Sequence, residues 1–448
     1  MEATEQSGYW WLPESPEIRV PGQLHISARG RSKLTLNGSF RSPWSGGTVT
    51  EVLPGITSTT FTESSMDEVG KYPVIHGQIK NKACTLLGAF QTSYNASLGT
   101  NWASETVVAN ELLLGALFEP GELPADRVIF ELQGLAEWLT ENGLTEHHHY
   151  KDPTLRKIVD VQVEARPLPR RRVQLGSGRT LYLNQEFELE GDRINTRGIR
   201  QTFNLELRLP HRVSLHEIMQ SVGYVMDLVT MGTGRTAGLK DVKICTPDVR
   251  YGPPSAPSRY RMPIDYIAEW TARDESDAAF DKTKMLFTLE DLGGFQIFKR
   301  WMPLAERYGP QLNQLMSSRY RSALVTDALL NRVAAFEQWH KTSTGSKKAT
   351  LAARLSNAAE ALGPVFTDLI ACDTTRWSQV VARSRHNVAH SLGQGYEASE
   401  TLFLADSVYF LMVLSLMREL QVPEAVFVRI AAHSEYRLLK RRLASVFA

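Results

Sequence analysis

The residues from Trp377 to Leu392 read WSQVVARSRHNVAHSL and have the spacing of an amphipathic helix. Successive helical residues turn by about 100°, so positions three, four and seven apart share a face. One face is apolar and is predicted to pack on a core; its residues are Trp377, Val381, Val388 and Leu392. The opposite face carries Arg383, His386 and His390 and is predicted to be exposed.

The exposed face groups side chains that can act on a phosphodiester. Imidazole accepts or donates a proton near neutral pH, and guanidinium holds a phosphate through two parallel hydrogen bonds. These are the residue types for cleaving RNA without a metal ion. Arg385 lies at the edge of the apolar stripe, where a charge is costly unless it is paired or turned into a cleft. A salt bridge from Arg385 to a neighbouring helix is therefore an equally good explanation of its position.

The rest of the C-terminal third also has helical periodicity. Five helices are predicted, over residues 326–341, 349–370, 375–392, 398–421 and 424–447. Pro364 is expected to kink or split the second, and Asp373 is expected to cap the third. Short connections between helices of this length favour an up-and-down bundle.

The first 210 residues have a different pattern, with short alternating or β-branched runs separated by Gly, Pro, Ser and Asn. This pattern predicts a sandwich or barrel of mostly antiparallel strands. The predicted fold class is therefore α+β, with a β-rich N-terminal domain over residues 1–318 and an all-α bundle over residues 319–448.

The charges differ between these two parts. Residues 319–448 contain 16 Lys and Arg against 11 Asp and Glu, although the whole chain has a net charge of only +1. A mildly basic bundle on a mildly acidic body is compatible with a nucleic-acid partner.

The cysteines and the apolar stretches bear on where the protein works. Cys84, Cys245 and Cys372 are far apart and form no CxxC pair, which argues against a disulfide framework or a zinc site. The beginning of the chain lacks the features of a signal peptide. The most apolar stretch, residues 402–417, contains Asp406 and is shorter than the roughly 20 residues that span a bilayer. We therefore expect a cytoplasmic protein with no membrane partner, in which this stretch is a buried helix.

Two stretches resemble known families. Arg385-His386-Asn387-Val388-Ala389-His390 matches the R-x4-6-H motif of the HEPN superfamily, on the third helix of the predicted bundle. The stretch GYWWLPE at residues 8–14, followed by GQL at residues 22–24, resembles the N-terminal domain of the ApeA group of bacterial anti-phage proteins.

The HEPN resemblance implies a metal-independent endoribonuclease that needs no cofactor and works as a homodimer. His390 would be the acid or base, and Arg385 would hold the phosphate and stabilise its developing charge. His386, at the variable polar position, would assist. Arg383 also has a permitted spacing to His390, so the motif arginine is either Arg383 or Arg385. Substrate binding is further expected from Arg383, Asn387, Lys440 and Arg441.

The ApeA resemblance implies an effector that acts in abortive infection. Its β-rich part would sense a phage-derived trigger or restrain the nuclease. Its bundle would cleave RNA, with tRNA as a candidate, and leave 2′,3′-cyclic phosphate and 5′-OH ends. The main alternative is an inactive HEPN module that binds nucleotide or RNA, with the β-rich part as the recognition element. A carbohydrate- or peptide-binding hydrolase is the weaker third option, because no nucleophile elbow or HExxH is present.

Three further groups of residues have a structural and a functional interpretation. Glu337 and His340 could orient catalytic groups, but a solvated helix face is the stronger expectation. His147-His148-His149 resembles a metal cluster, but consecutive residues rarely converge on one ion, so a surface loop is predicted. Arg170-Arg171-Arg172 could contact a phosphate backbone or form a solvated turn.

Overall fold

Strands fill most of the chain up to residue 213, and helices fill most of it from residue 298 onward, in a computed structural model of the protein. The structure describes residues 3–40, 48–53, 56–60, 70–96, 103–119, 124–152, 157–192, 194–252, 260–269, 279–321, 323–346, 348–390 and 397–447. This order confirms the predicted fold class, a β-rich part followed by an all-helical part.

The strands and helices have the following bounds in the described residues. The strands are β1 (Thr4–Trp11), β2 (Val20–Ile26), β3 (Ser32–Leu36), β4 (Thr48–Leu53), β5 (Ile56–Thr60), β6 (Lys71–Ile79), β7 (Lys82–Ala96), β8 (Ala103–Leu114), β9 (Ala125–Leu132), β10 (Leu144–Asp152), β11 (Lys157–Ala165), β12 (Arg171–Gln174), β13 (Thr180–Glu190), β14 (Gly198–Val213), β15 (Leu239–Cys245) and β16 (Ile264–Ala268). The helices are α1 (Leu135–Leu139), α2 (Leu215–Thr233), α3 (Phe298–Arg307), α4 (Gly309–Tyr320), α5 (Val325–Thr344), α6 (Leu351–Leu362), α7 (Pro364–Ile370), α8 (Thr374–Ala389), α9 (Ala398–Glu419), α10 (Glu424–Ala432) and α11 (Ser434–Phe447).

Six of the described strands close into an antiparallel barrel. Their order is β8-β3-β2-β1-β6-β7, and β7 pairs again with β8. The alternation in β2 and β3 gives each strand one face toward the interior, because every second residue is buried. Leu24 of β2 and Leu34 of β3 are directly paired and point into the barrel.

The described core of the barrel is mostly apolar, and it contains a buried carboxylate that is satisfied by hydrogen bonds. The core includes Trp10, Leu24 and Val107. Glu105 is buried among them, where it accepts hydrogen bonds from the Tyr72 hydroxyl at 2.5 Å and from the backbone N–H of Phe40 at 3.1 Å. The carboxylate thus meets the requirement that buried polar groups be paired.

The chain forms two compact units. One consists of Met1–Phe130, His211–Ile218 and Lys240–Ala272 and contains the barrel; the other consists of Glu131–Pro210, Met219–Leu239 and Arg273–Ala448 and contains the helical part with the β10–β11 and β12–β13–β14 hairpins. These two units are defined by which parts of the chain pack together, and they do not assign a function to either part. The predicted division between residues 318 and 319 therefore stays a prediction.

Two of the predicted bundle helices are each split in the structure. The second predicted helix is split at Pro364, as expected. Its first part, α6, ends at Leu362, Gly363 turns the chain with a φ of 65°, and Pro364 begins α7. The prediction of one helix over residues 424–447 is wrong: α10 ends at Ala432, and His433 is extended. The buried imidazole of His433 forms a hydrogen bond of 2.9 Å with the Lys284 carbonyl, which accounts for the break.

The core helix of the bundle is α9. It is the one described helix that is long and apolar enough to cross a membrane, and 78% of its most apolar 18-residue stretch is buried inside the protein. The predicted buried helix over residues 402–417 is therefore confirmed.

Candidate functional site

The predicted motif lies on α8, and the local sequence explains where this helix begins. Asp373 is its N-cap, since its side chain accepts a hydrogen bond from the backbone N–H of Arg376 at 2.8 Å. The helix ends at Ala389 with His390 as the C-cap. The predicted helix is confirmed to this point, and Leu392 lies outside the described residues.

The apolar face of α8 fixes how the helix is rotated. Trp377 and Val381 are fully buried, as predicted, and Val388 is half-buried. The Trp377 indole N–H donates to the Ser407 hydroxyl on α9 at 3.1 Å, and its ring meets Phe366 edge to face at 5.1 Å between centroids. These contacts hold the opposite face of α8 toward solvent.

That opposite face carries the predicted catalytic residues. Arg383, His386 and His390 are all exposed. The two imidazoles lie one helical turn apart, with 4.5 Å between ring centroids and 54° between ring planes. Two imidazoles this close can act on one substrate, one accepting a proton and the other donating one.

Arg385 is half-buried at the edge of the apolar face, where the sequence placed it. Within the described residues, neither Arg383 nor Arg385 forms a side-chain hydrogen bond or an ion pair. The structural alternative, a salt bridge to a neighbouring helix, is thus not found in the part of the chain that the structure describes. Both guanidinium groups keep their hydrogen-bond donors available to a ligand.

The residues predicted to bind substrate are distributed over two helices. Asn387 is half-buried on α8, between the two histidines. Lys440 and Arg441 are exposed on α11. The guanidinium of the next residue, Arg442, lies 5.0 Å from the ring centroid of Phe403 on α9. No contact within the described ranges joins Lys440 or Arg441 to the motif.

Glu337 and His340 on α5 do not belong to this exposed face. Glu337 is paired with Lys341 at 2.8 Å, one turn along the same helix. His340 is buried, where the sequence favoured a solvated face, and its ring nitrogen lies 3.4 Å from the guanidinium of Arg354. Burial lowers the pKa of His340, and the neighbouring Arg354 lowers it further.

The sequence reasoning missed two buried arginines in the helical part. Arg332 on α5 is buried and forms an ion pair of 2.5 Å with Asp406 on α9. Arg354 on α6 is fully buried and donates to the backbone carbonyls of Ser346 and Ala349. The one signal for the ion pair was Asp406 itself, an acid in an apolar stretch that needs a partner when buried.

The histidine run His147-His148-His149 lies in a strand, so the predicted surface loop is wrong. The run belongs to β10, which pairs with β11. Successive side chains of a strand point to opposite faces, so the three imidazoles do not converge. His148 lies 3.3 Å from Glu146, and His149 lies 3.6 Å from Asp160. In the described part of the chain, no group of three or more His, Cys, Asp or Glu could hold a metal ion.

Two members of the arginine run at residues 170–172 are already engaged by carboxylates. Arg170 pairs with the buried Glu206 at 2.7 Å, and its guanidinium lies 4.2 Å from the ring centroid of Tyr182. Arg171 pairs with Glu141 at 2.8 Å. The positive charge of each of these two arginines is therefore already compensated by a carboxylate within the fold.

Taken together, the fold is a β-barrel unit and a helical unit that presents two imidazoles beside two guanidinium groups. The family model described as ApeA N-terminal domain 1 matches residues 5–301, about two thirds of the chain. The chain therefore belongs to the ApeA family, and this membership indicates a protein of anti-phage defence. The match ends within α3, so the motif helix lies beyond it. No curated protein and no solved structure matches the chain.

Proposed function

We propose that this defence protein is an effector enzyme, a metal-independent endoribonuclease whose reaction centre is the exposed face of α8. The observation that carries the proposal is the His386–His390 pair, 4.5 Å apart at the exposed end of the helix. Arg383 and Arg385 support it, because neither has a partner in the described residues. The sequence match to the HEPN motif supplies the reaction class.

The reaction requires two proton transfers. One imidazole removes the proton from a ribose 2′-OH, and the oxygen attacks the adjacent phosphorus. The bond from phosphorus to the 5′-oxygen breaks, and the second, protonated imidazole gives that oxygen its proton. The products are a 2′,3′-cyclic phosphate and a 5′-OH. DNA is not cut, because it lacks the 2′-OH.

The roles of the histidines and arginines follow from this reaction. His390 is the motif acid or base, and His386 is the second proton-transfer group. Arg385 stabilises the charge that develops on the phosphate, and Arg383 binds the same phosphate from the exposed side. Asn387, Lys440 and Arg441 hold the flanking strand.

The role in defence rests on the ApeA family, and the homodimer rests on the resemblance to the HEPN motif. The active form is a homodimer that joins two such faces into one basic cleft. The β-rich part responds to a phage-derived trigger, and the released nuclease cleaves cellular RNA, with tRNA as the candidate substrate. Loss of translation then aborts the infection.

The test is cleavage of total cellular RNA in EDTA by the purified protein, with mapping of the new ends. We expect wild type to leave cyclic phosphate ends, with phage lysate added if a trigger is required, and we expect His390→Ala to be inactive. His147→Ala is the matched control, since it removes another exposed imidazole from the helical unit. Its activity should equal that of wild type.

Two results would overturn the proposal. If His390→Ala cleaves as well as wild type, the reaction centre lies elsewhere. If wild type cleaves nothing in either condition yet retains RNA, the helical part is a binding module and not an enzyme.

A further inference from the structure

A cavity of about 390 Å³ opens on the outer face of the barrel, in a region to which neither the motif nor the family description assigns a role. Its lining residues are His25, Ser27, Arg31, Lys33, Thr92 and Val108. A volume of a few hundred cubic ångströms is in the range of sites for small molecules.

The strand register builds this cavity from neighbouring side chains. His25 on β2 is directly opposite Lys33 on β3, and Lys33 is directly opposite Val108 on β8. Because alternate residues of β2 and β3 point into the barrel, His25 and Lys33 must point outward. Val108 is nearly buried beside them and forms an apolar floor.

The turn between β2 and β3 adds the remaining polar groups on that side. The Ser27 hydroxyl accepts a hydrogen bond from the backbone N–H of Arg31 at 3.0 Å, which places both residues on one edge. Gly30 makes this turn possible, since its φ is 86° and a side chain there would lie 2.7 Å from the Ala268 carbonyl oxygen.

The cationic groups are not neutralised within the fold. In the described residues, the side chains of His25 and Lys33 form no hydrogen bond or ion pair. Arg31 has only a loose contact of 3.8 Å with Glu269, and both side chains are about half exposed. Two groups that can both be positive, directly opposite on adjacent strands, reduce stability.

We propose that this cavity binds a free nucleotide, with its phosphate held by Lys33, Arg31 and His25. The charged donors and the Ser27 hydroxyl on one rim suit the several oxygens of a phosphate. The apolar part of the ligand packs on Val108 and toward Phe90, which pairs with Val108 and is 42% exposed. This site lies in the barrel unit, and the proposal of nucleotide binding does not depend on the proposed ribonuclease activity.

The experiment is isothermal titration calorimetry of the full chain with ATP, inorganic phosphate and a short single-stranded RNA. The variants are His25→Gln, Lys33→Gln and the double substitution. We expect ATP to bind wild type, each single variant to bind about tenfold more weakly, and the double variant more weakly still, because each loses one charge-assisted contact. Lys82→Gln is the control, since it removes an exposed lysine from the same barrel outside the cavity. It should bind ATP as wild type does.

The outcomes separate the possible sources of the phosphate. Binding of ATP that exceeds binding of inorganic phosphate, and that is lost in the double variant but kept by Lys82→Gln, supports the site. Absence of ATP binding, or unchanged binding by the double variant, would overturn it. Equal affinity for phosphate and ATP would show a simple anion site, and stronger, cavity-dependent binding of the RNA would show a strand-binding site. Either result would contradict a nucleotide pocket.

Discussion

Two pairs of arginines in the helical unit differ in burial and in partners. Arg332 and Arg354 are buried, and each is held by hydrogen bonds to acids or backbone carbonyls. Arg383 and Arg385 lie at the surface or half-buried on α8 and have no side-chain partner in the described residues. Arg332 and Arg354 connect α5, α6 and α9 through their side-chain contacts. Arg383 and Arg385 make no such connection between helices in the described residues.

The difference separates a structural from a functional use of the same side chain. A buried guanidinium must be satisfied where it is, and losing its partner costs stability. A guanidinium left without a partner beside two imidazoles adds no ion pair to the fold and remains available to a phosphate. Substitutions in the first pair should therefore change stability, and substitutions in the second should change activity.

The largest effect is expected from Asp406→Ala, which removes the partner of Arg332. The variant leaves a buried charge uncompensated, so the free energy of unfolding should fall by about 3 to 5 kcal/mol. Urea unfolding followed by far-UV circular dichroism measures the change.

The matched control for this stability measurement is Glu424→Ala. It breaks the solvent-exposed pair of Arg418 and Glu424, which are 3.1 Å apart, and should cost less than about 1 kcal/mol. Equal losses in the two variants would mean that burial of the arginine does not set the cost of breaking its ion pair.

The next effect concerns the exposed arginines. Arg385→Ala should lower kcat by about 100-fold, because it removes a donor to the charge that develops in the transition state. Arg383→Ala should act mainly on KM. Cleavage kinetics on a mapped RNA separate the two, with folding checked by circular dichroism. The reverse ranking would make Arg383 the motif arginine, and wild-type kinetics in both variants would remove this face from the mechanism.

The last effect is a dependence of stability on pH, and it is expected from a buried acid, Asp227 on α2. Burial raises its pKa from 3.8 to about 7, although a hydrogen bond of 2.5 Å from the Tyr320 hydroxyl opposes the shift. The folded state therefore holds a proton that the unfolded state releases, and this contribution to stability is lost as the pH rises through about 7.

Asp227→Asn keeps an acceptor for Tyr320 and removes the titration. Relative to wild type, it should gain more stability at about pH 8 than at about pH 5. Unfolding midpoints at the two values measure this difference. A gain that is independent of pH would show that Asp227 stays ionised, or stays protonated, across the range.

Local rules in the sequence predicted much of the helical part. The N-cap at Asp373 and the break at Pro364 depend on residues within one turn, and the rotation of α8 follows from its own periodicity. The barrel was predicted only as a barrel or sandwich, because closure depends on the β7–β8 pairing and not on any single strand.

The features that the sequence did not predict share one physical cause, which is contact between residues distant in the chain. The ion pair of Arg332 and Asp406 joins residues 74 positions apart. The break before α11 depends on the contact of His433 with Lys284, 149 positions away. The strand at His147-His148-His149 forms because β11 pairs with it. Periodicity within a segment carries no information on these partners.

The central claim, cleavage through the ribose 2′-OH at the α8 face, has one direct test. An RNA is synthesised with a single 2′-deoxyribose on the 5′ side of a mapped cut site and incubated with wild-type protein in EDTA. We expect this bond alone to resist cleavage while other mapped sites in the same RNA are still cut. Cleavage at the deoxy position would contradict attack by the 2′-OH, and with it the role assigned to His386 and His390.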